Sequence, residues 1–353
     1  MKKIILTSFI LFVSNVILSQ EIDSAKVYVR LGVKLHDQGK YNEALIAYEK
    51  AIHLDSTNII AFAEKAYSLV AIKKYDAAID ACINAINIDP VSRQLKIVYA
   101  TFGNALDKLN KPNEAIQKYN IGLRLFPNFY LLHYNKAITL YTQKKDDDAL
   151  VSFQNAVIYN PNHASSHAGI ATLMLVKKQK IPALLAINRL LILEPQSNRA
   201  KNYFLELQKI MSGNIDKTGD NSITINIDPD ILKEDAAKKE NNFNTAELIL
   251  SMAAALDHDE KNKNKTKAEL FSRKFKTICG SLEETANKNT GFFWKYYAPY
   301  FIELNQKGHI ETLANIVHVT TKEEPVLSWL DTHKEKINTF YKWSNMYWAP
   351  KKK

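Results

Sequence analysis

Hydrophobic residues between Ala25 and Ser197 recur in a pattern that changes little from one stretch of the chain to the next. In each stretch, a first segment carries apolar residues three or four positions apart, which places them on one face of a helix. A short polar turn follows, and a second segment with the same spacing comes after it. The pattern predicts consecutive pairs of helices joined by tight turns.

Each second segment contains an alanine that marks the register of the repeat. The interval between successive alanines is 34 residues, with one interval of 37. These anchor alanines are Ala44, Ala78, Ala115, Ala149 and Ala183. A large residue often stands four positions later and a small one three further on, as in Ala115, Tyr119 and Gly122. A period of this length is typical of stacked helix-turn-helix units that bury their apolar faces against one another.

The first helix of each unit is predicted to bury one apolar stripe that includes a small residue, so that the second helix can approach closely. The five stripes are Tyr28, Leu31, Gly32 and Leu35; Phe62, Ala66 and Leu69; Tyr99, Phe102, Gly103 and Leu106; His133, Ala137 and Leu140; His167, Ile170, Ala171 and Met174. Four second helices are followed by Pro90, Pro127, Pro161 and Pro195. A proline there ends the helix and enforces the turn into the next unit.

These residues resemble the tetratricopeptide repeat (TPR) family over residues 25–211. The units are 25–58, 59–92, 96–129, 130–163 and 164–197, and a capping helix is predicted at 198–211. No unit has the tryptophan that is common early in the first helix of the family. The resemblance implies an all-α, right-handed superhelix of five repeats with a concave groove lined by first helices and used to bind proteins or peptides.

Residues 212–243 are predicted to form a linker. Within it, Ile223, Ile225 and Ile227 alternate with polar residues, which indicates a lone extended segment because no second strand is evident. Pro229 is predicted to open a short helix that runs to Lys239.

Residues 244–353 are predicted to form a second helical domain, for which no family is recognised. Asn244 with Glu247, and Thr266 with Glu269, have the spacing of capping boxes. A single aromatic helix is expected from Phe292 to Leu304, and a single long helix from Val326 to Phe340. All four tryptophans lie in this region, and so many aromatic residues need a core or an interface. The domain is therefore expected to pack against the repeats.

The first 19 residues have the features of a secretory signal peptide. Lys2 and Lys3 precede a mostly apolar run from Ile4 to Leu18, and Ser19 supplies a small residue for cleavage next to Gln20. The run is short and interrupted for a membrane span. We therefore expect export to the periplasm or the extracellular space, with no membrane span after the leader is removed; retention of the run as an anchor is the alternative.

The chain carries a formal net charge of +10. The basic residues are scattered among acidic ones, except for the C-terminal Lys351, Lys352 and Lys353, which is typical of a solvated surface. Export and the absence of a basic cluster argue against a nucleic-acid partner.

The candidates for chemistry each have a simpler structural explanation. Cys82 is predicted to be a small core residue, and Cys279 lies one position from an apolar stripe formed by Phe271, Phe275, Ile278 and Leu282. An oxidising compartment would permit a disulfide between the two cysteines. His163 and His167 could share a metal, but His167 occupies the aromatic position of its repeat. The loop from Asp257 lacks the glycine and the final glutamate of a calcium loop. We expect no metal site, no cofactor and no enzymatic activity.

The predicted binding surface is the other face of the first helices. Its residues are Val33, Tyr67, Asn104, Tyr134, Asn135, Ile138, Tyr141 and Thr172. TPR proteins that hold acidic chaperone tails use Lys, Arg and Asn on this face, whereas these residues are mostly apolar or aromatic. The sequence therefore favours a non-catalytic scaffold for an apolar protein or peptide partner whose identity it does not reveal. The alternative is an enzyme or ligand-binding module in residues 244–353, with the repeats as a targeting arm.

Overall fold

The computed structural model describes residues 22–213, 215–217, 223–226 and 240–349. The predicted signal peptide, the helix predicted after Pro229 and the C-terminal lysines lie outside this part of the chain. The chain divides into two compact units, Met1–Tyr159 and Asn160–Lys353. The division falls at the end of the fourth repeat, so the fifth repeat belongs to the same unit as the C-terminal region.

The first unit consists of helix pairs that coincide with the first four predicted repeats. The helices are α1 (residues 22–37), α2 (Tyr41–Leu54), α3 (Ile59–Ala71), α4 (Tyr75–Ile88), α5 (Leu95–Lys108), α6 (Pro112–Leu125), α7 (Tyr130–Thr142) and α8 (Asp146–Tyr159). The turn after each first helix contains one residue in the left-handed region, and Lys178 holds the same place in the fifth repeat. Only Gly39, in the first repeat, is a glycine. Because other side chains are strained there, the flanking helices must hold these turns in place.

Close contact between the two helices of a pair depends on matched residue sizes. All five anchor alanines are fully buried. The residue four positions after each is also buried: Tyr48, Cys82, Tyr119, Phe153 and Ile187. Where this residue is tyrosine, the first helix supplies glycine, because a Cβ on Gly32 or Gly103 would lie 2.3 or 2.2 Å from the ring. Both positions, the anchor alanine and the residue four later, are thus buried in all five units. In the first stripe, however, Leu31 is 43% exposed and not buried as predicted.

The second unit begins with the fifth repeat and continues into the C-terminal helices. Its helices are α9 (Ala164–Val176), α10 (Lys180–Leu193), α11 (Ala200–Met211), α12 (Asn244–Ala255), α13 (Lys267–Thr285), α14 (Phe292–Tyr296), α15 (Ala298–Gln306), α16 (Ile310–His318), α17 (Glu324–Thr332) and α18 (Lys334–Tyr347). Short 3-10 turns occur at Leu256–His258, Glu260–Asn262, Ala286–Lys288 and Val319–Thr321. The all-α class is as predicted, and α11 lies where the capping helix is expected.

Two predicted long helices are each broken in two. Pro299 is the second residue of α15, and because proline has no backbone N–H it interrupts the aromatic segment after Tyr296. The second break is at His333, where the side chains of Thr332 and His333 take the carbonyls of Ser328 and Trp329 as hydrogen-bond partners. Such local bonds compete with the helical ladder.

The linker prediction of a lone extended segment is wrong. Strand β1 (Ile215–Lys217) pairs antiparallel with β2 (Ile223–Ile225), with Ile215 opposite Ile225. The first strand is only three residues long and contains two charged residues, so its sequence shows no strand pattern.

One of the two predicted capping boxes is present. Thr266 and Glu269 exchange both bonds of the box at the start of α13. The box predicted for Asn244 is wrong: the helix already begins at Asn244, and the side chain of Asn242 accepts its backbone N–H at 2.9 Å.

Helix α10 differs from every other second helix in how much of it is buried. Of its 14 residues, 12 are buried, whereas α2, α4, α6 and α8 each bury three to five. Its sequence, KIPALLAINRLLIL, is apolar on every face, as expected for a helix that is covered all round. The C-terminal helices contribute to this cover: Arg189 donates to Ser344 Oγ at 3.1 Å, and the Tyr341 hydroxyl donates to the carbonyl of Ile192 at 3.3 Å. These contacts agree with the prediction that the C-terminal region packs against the repeats.

We expect Gly103→Ala to lower the free energy of unfolding by about 1–3 kcal/mol, because the added methyl group overpacks the helix pair. The ring of Tyr119 has little room to move away, since its hydroxyl donates to Asn104 Oδ1 at 2.8 Å. Gly280→Ala is the matched control inside α13, where a Cβ meets nothing within 4 Å. That change should raise the unfolding free energy by up to about 1 kcal/mol through helix propensity. Urea denaturation measures both, and equal effects would contradict the close approach.

Candidate functional site

The predicted groove residues all keep some solvent-accessible surface. One position recurs once per repeat on the first helices and is occupied by Val33, Tyr67, Asn104, Ile138 and Thr172. Tyr67 is 50% exposed and Ile138 is 36% exposed. The remaining six of the eight predicted groove residues are half-buried. None of the eight is fully enclosed, so each can touch a ligand as well as its neighbours.

The exposed ring of Tyr67 is held in place by the end of the preceding first helix. It stacks on the imidazole of His36, with the ring centroids 4.8 Å apart and an angle of 23° between the planes. Nδ1 of His36 is 2.7 Å from the hydroxyl of Ser68, and its ring also meets the edge of Tyr41. Burial lowers the pKa of His36. Tyr67 is therefore an aromatic surface with little freedom to rearrange.

Acidic groups accompany this aromatic pair. Glu64 occupies the position in the second repeat that corresponds to the predicted groove residue Asn135 in the fourth. Burial and the nearby carboxylate of Asp37 both raise the pKa of Glu64. The sequence pattern of apolar positions did not single out this residue.

The third and fourth repeats offer a mixture of polar and aromatic side chains. The amide oxygen of Asn104 accepts the Tyr119 hydroxyl at 2.8 Å, which fixes its orientation. Tyr134 contacts the ring of Phe153, with the centroids 6.0 Å apart, and the ammonium of Lys144 lies 5.9 Å from the ring centre of Tyr141.

Thr172 lies in the second unit and is partly engaged by the capping helix. Its hydroxyl is 2.9 Å from the hydroxyl of Tyr203, which also lies 3.2 Å from the carbonyl oxygen of Ala168. Thr172 is thus the one predicted groove residue whose polar group is tied to α11.

Comparison with known proteins identifies the repeats. Two family models, both described as Tetratricopeptide repeat, match residues 25–58 and 101–167. The first match has the bounds that the sequence pattern predicts for the first unit. These two stretches of the chain therefore carry tetratricopeptide repeats.

Two curated relatives are similar to part of the TPR region. A STIP1 homologue of Dictyostelium discoideum is 30% identical over 132 residues, which is 36% of this chain and 23% of that protein. A small glutamine-rich tetratricopeptide repeat-containing protein of the same organism is 37% identical over 92 residues, 26% of this chain and 27% of that protein. The chain thus spans about a quarter of the length of these relatives. The matches fit a protein-binding TPR scaffold, a type of protein that is typically non-catalytic.

Among solved structures, Pseudomonas aeruginosa PilF is 20% identical, with 54% of this chain and 93% of that chain covered and a TM-score of 0.44. A likeness this low carries no argument about function. Within the described ranges, no helix is both long enough and apolar enough to cross a bilayer.

The cysteines and the candidate metal residues are buried or bonded to other side chains. Cys82 and Cys279 are buried free thiols, and burial raises the pKa of Cys82 to about 12. Among the residues that the structure describes, no group of three or more His, Cys, Asp or Glu side chains could hold a metal ion. His163 bonds to Ser166 Oγ at 2.8 Å. Asp257, at the start of the suspected calcium loop, pairs with Arg273 and Lys274.

His133 and His167 replace the aromatic residue of their repeats for a shared reason. Nε2 of each lies within hydrogen-bond distance of the carbonyl of the proline six residues earlier, at 2.7 Å for His133 and 2.9 Å for His167. The imidazole thus ties the first helix to the turn before it. In His167, Nδ1 also lies 2.7 Å from the hydroxyl of Tyr297, a residue of the C-terminal region.

Helix α10 also holds a buried cation that the repeat pattern does not predict. Arg189 is fully buried, and within the described residues no carboxylate pairs with it. Its NH2 group donates to the carbonyl of Pro161 and to Asn162 Oδ1, and its guanidinium lies 5.5 Å from the ring centre of Tyr300 and 5.2 Å from that of Trp348. Aromatic faces therefore replace a counterion. The signal for this site is a lone arginine within an otherwise apolar helix.

We expect the second unit to lose stability as the pH falls below about 6.5. Burial lowers the pKa of His167 to about 3, with Arg189 adding to the shift, and lowers that of His318 to about 4. Between pH 6.5 and the folded pKa, each histidine is protonated in the unfolded chain but neutral in the folded one. Each should therefore lower the free energy of unfolding by about 1.4 kcal/mol for every unit that the pH falls in this range. Tryptophan fluorescence during denaturation follows this unit alone, since all four tryptophans lie in it.

His167→Gln should flatten that dependence on pH, whereas His53→Gln on the exposed side of α2 should leave it unchanged. A slope that is the same in all three proteins would show that the buried histidines are not responsible.

Proposed function

We propose that this chain is an exported scaffold that binds a protein or peptide partner through the first helices of its TPR units. The observation that supports this most directly is Tyr67, whose ring is half exposed yet fixed against His36. A rigid aromatic surface loses little entropy on binding, which is the property of an anchor residue at an interface. Ile138, Tyr134 and Tyr141 extend the apolar character in the fourth repeat.

The charges on this surface favour an apolar ligand over an acidic tail. Asp37 and Glu64 lie close enough to each other to raise the pKa of Glu64. A ligand carboxylate placed beside them would be repelled. The proposed partner therefore presents an apolar or aromatic segment, with no acidic cluster against the first two repeats.

The groove is tested with a fluorescein-labelled peptide selected from a random phage-displayed library on the purified protein. We expect the selected sequences to be rich in Leu, Ile, Phe and Trp. Tyr67→Ala with Tyr141→Ala should weaken binding of the peptide by about tenfold or more, because an aromatic anchor is lost. Fluorescence anisotropy gives the affinity, and circular dichroism gives the melting curve.

The matched control is Ile83→Ala, which removes a side chain that is 40% exposed on a second helix of the same repeat region. It should leave peptide affinity unchanged. Selection of peptides rich in Asp and Glu, or equal loss of affinity in the control, would contradict a groove on the first helices.

Export is part of the proposal and rests on the leader pattern of Lys2, Lys3 and the apolar run from Ile4 to Leu18. We expect protein recovered from the native cell envelope to have the mass of a chain that begins near Gln20. Replacing both lysines by glutamate should reduce the exported fraction, because the positive segment that precedes the apolar run is removed. An intact mass that retains Met1 to Ser19 would refute cleavage.

A further inference from the structure

A cavity of about 490 Å³ lies within the second unit, among α11, α12, α13 and the end of α16. We propose that it binds a carboxylate carried on an apolar chain, as in a fatty acid. Its volume is in the range of small-molecule sites. The site is separate from the groove on the first helices, so this inference does not depend on the proposed scaffold function.

The walls of the cavity are apolar and come from helices that are far apart in the sequence. Phe204, Leu207 and Met211 line it from α11, and Leu270 and Phe271 line it from α13. Four of these five side chains are at least nine-tenths buried from solvent, and Leu270 is half-buried. A surface of this composition removes the body of an apolar ligand from water.

A buried ammonium group lies at one side of the cavity. Lys274 is 6% exposed, and its one hydrogen-bond partner among the described residues is Asp257. An ammonium has three donors, so two of them remain for a ligand. Asp257 is shared, because Arg273 bonds to its other oxygen.

The charges beside the cavity favour a negatively charged ligand. Two cations, Arg273 and Lys274, face a single carboxylate, Asp257. The other lysine of the cavity, Lys267, is balanced by Glu323, whose carboxylate is 2.7 Å from its ammonium. One positive charge is therefore left over beside apolar walls. A carboxylate would neutralise it, whereas a cationic head group would add to it.

His318 also lines the cavity. Its Nδ1 lies 2.7 Å from the carbonyl of Ala314, and burial lowers its pKa to about 4, so the ring is neutral and Nδ1 carries the proton. Nε2 then has a lone pair and, in the part of the chain that the structure describes, accepts no hydrogen bond. The rings of Phe204 and Phe271 meet His318 edge to face at 4.9 and 5.4 Å. The imidazole is thus fixed and uncharged, so it does not alter the excess positive charge beside Lys274.

Isothermal titration calorimetry of the full chain with decanoate tests the proposal at concentrations below micelle formation. Decanol and decyltrimethylammonium serve as the neutral and cationic probes with the same apolar chain. We expect decanoate to bind at one saturable site and both other probes to bind at least about tenfold more weakly, since they lose a charge-assisted hydrogen bond to Lys274.

Two variants locate the site. Gln208→Trp places a large ring on a residue that lines the cavity and should abolish decanoate binding. Lys209→Trp, the neighbour on the exposed side of α11, should bind as the wild type does, since it breaks only a surface ion pair with Glu206. Lys274→Met should weaken decanoate binding while leaving decanol binding nearly unchanged.

The proposal is overturned if decanoate shows no saturable binding, if decanol or the cationic probe binds as tightly as decanoate, or if Gln208→Trp binds decanoate as the wild type does. Circular dichroism confirms that each variant is folded. If Lys274→Met does not fold, the comparison of Gln208→Trp with Lys209→Trp still decides the location, and the three probes on the wild type still decide the charge.

Discussion

The burial of α10 on all of its faces is the constraint on which the second unit depends. A repeat at the end of a stack exposes one apolar side, which a polar capping helix normally covers. In this chain α11 covers only part of α10, and C-terminal side chains reach the rest: Ser344 meets Arg189, and Tyr341 meets the carbonyl of Ile192. The fifth repeat and the C-terminal helices therefore stabilise each other, which explains why they form one compact unit.

The burial of α10 gives the fifth repeat a different role from the first four. In the first unit, the second helices bury one face and expose the other to solvent, and the proposed binding surface lies on the first helices. In the second unit, both helices of the fifth repeat contact the C-terminal region, through His167 on α9 and Arg189 on α10. A helix with the TPR spacing can thus serve either as a recognition element or as the core of another domain.

The regular part of the fold could be predicted because its information is local and repeated. Three of the four intervals between anchor alanines are 34 residues, so one recognised unit gives the approximate register of the next. The breaks at Pro299 and His333 were not predicted because the apolar spacing continues across them. The helix ends at the first because proline lacks a backbone N–H, and at the second because side chains bond to backbone carbonyls. The sequence KIPALLAINRLLIL already indicates a helix without a solvated face, but what covers it lies more than a hundred residues later.

The two candidate sites could be predicted to different degrees, because only one of them lies in the repeated part of the sequence. The groove positions follow from the repeat, so all eight could be named, although the carboxylate of Glu64 among them was not. Lys274, Asp257 and His318 belong to helices with no repeat relation, and no spacing in the sequence brings them together. Their chemistry becomes visible only when the fold places Lys274 beside an aspartate that it shares with Arg273.

The two ends of the TPR region should also differ in how they tolerate change during evolution. In some units, both residues of a close contact belong to the same unit, as with Gly32 and Tyr48 or Gly103 and Tyr119. Duplication or loss of a whole unit among the first four preserves those pairs and changes only the length of the binding surface. The fifth unit has no such freedom, because a copy of the first unit in its place would put Glu43 and Lys50 where Pro182 and Arg189 are buried. Homologous chains are therefore expected to vary in repeat number only upstream of Asn160.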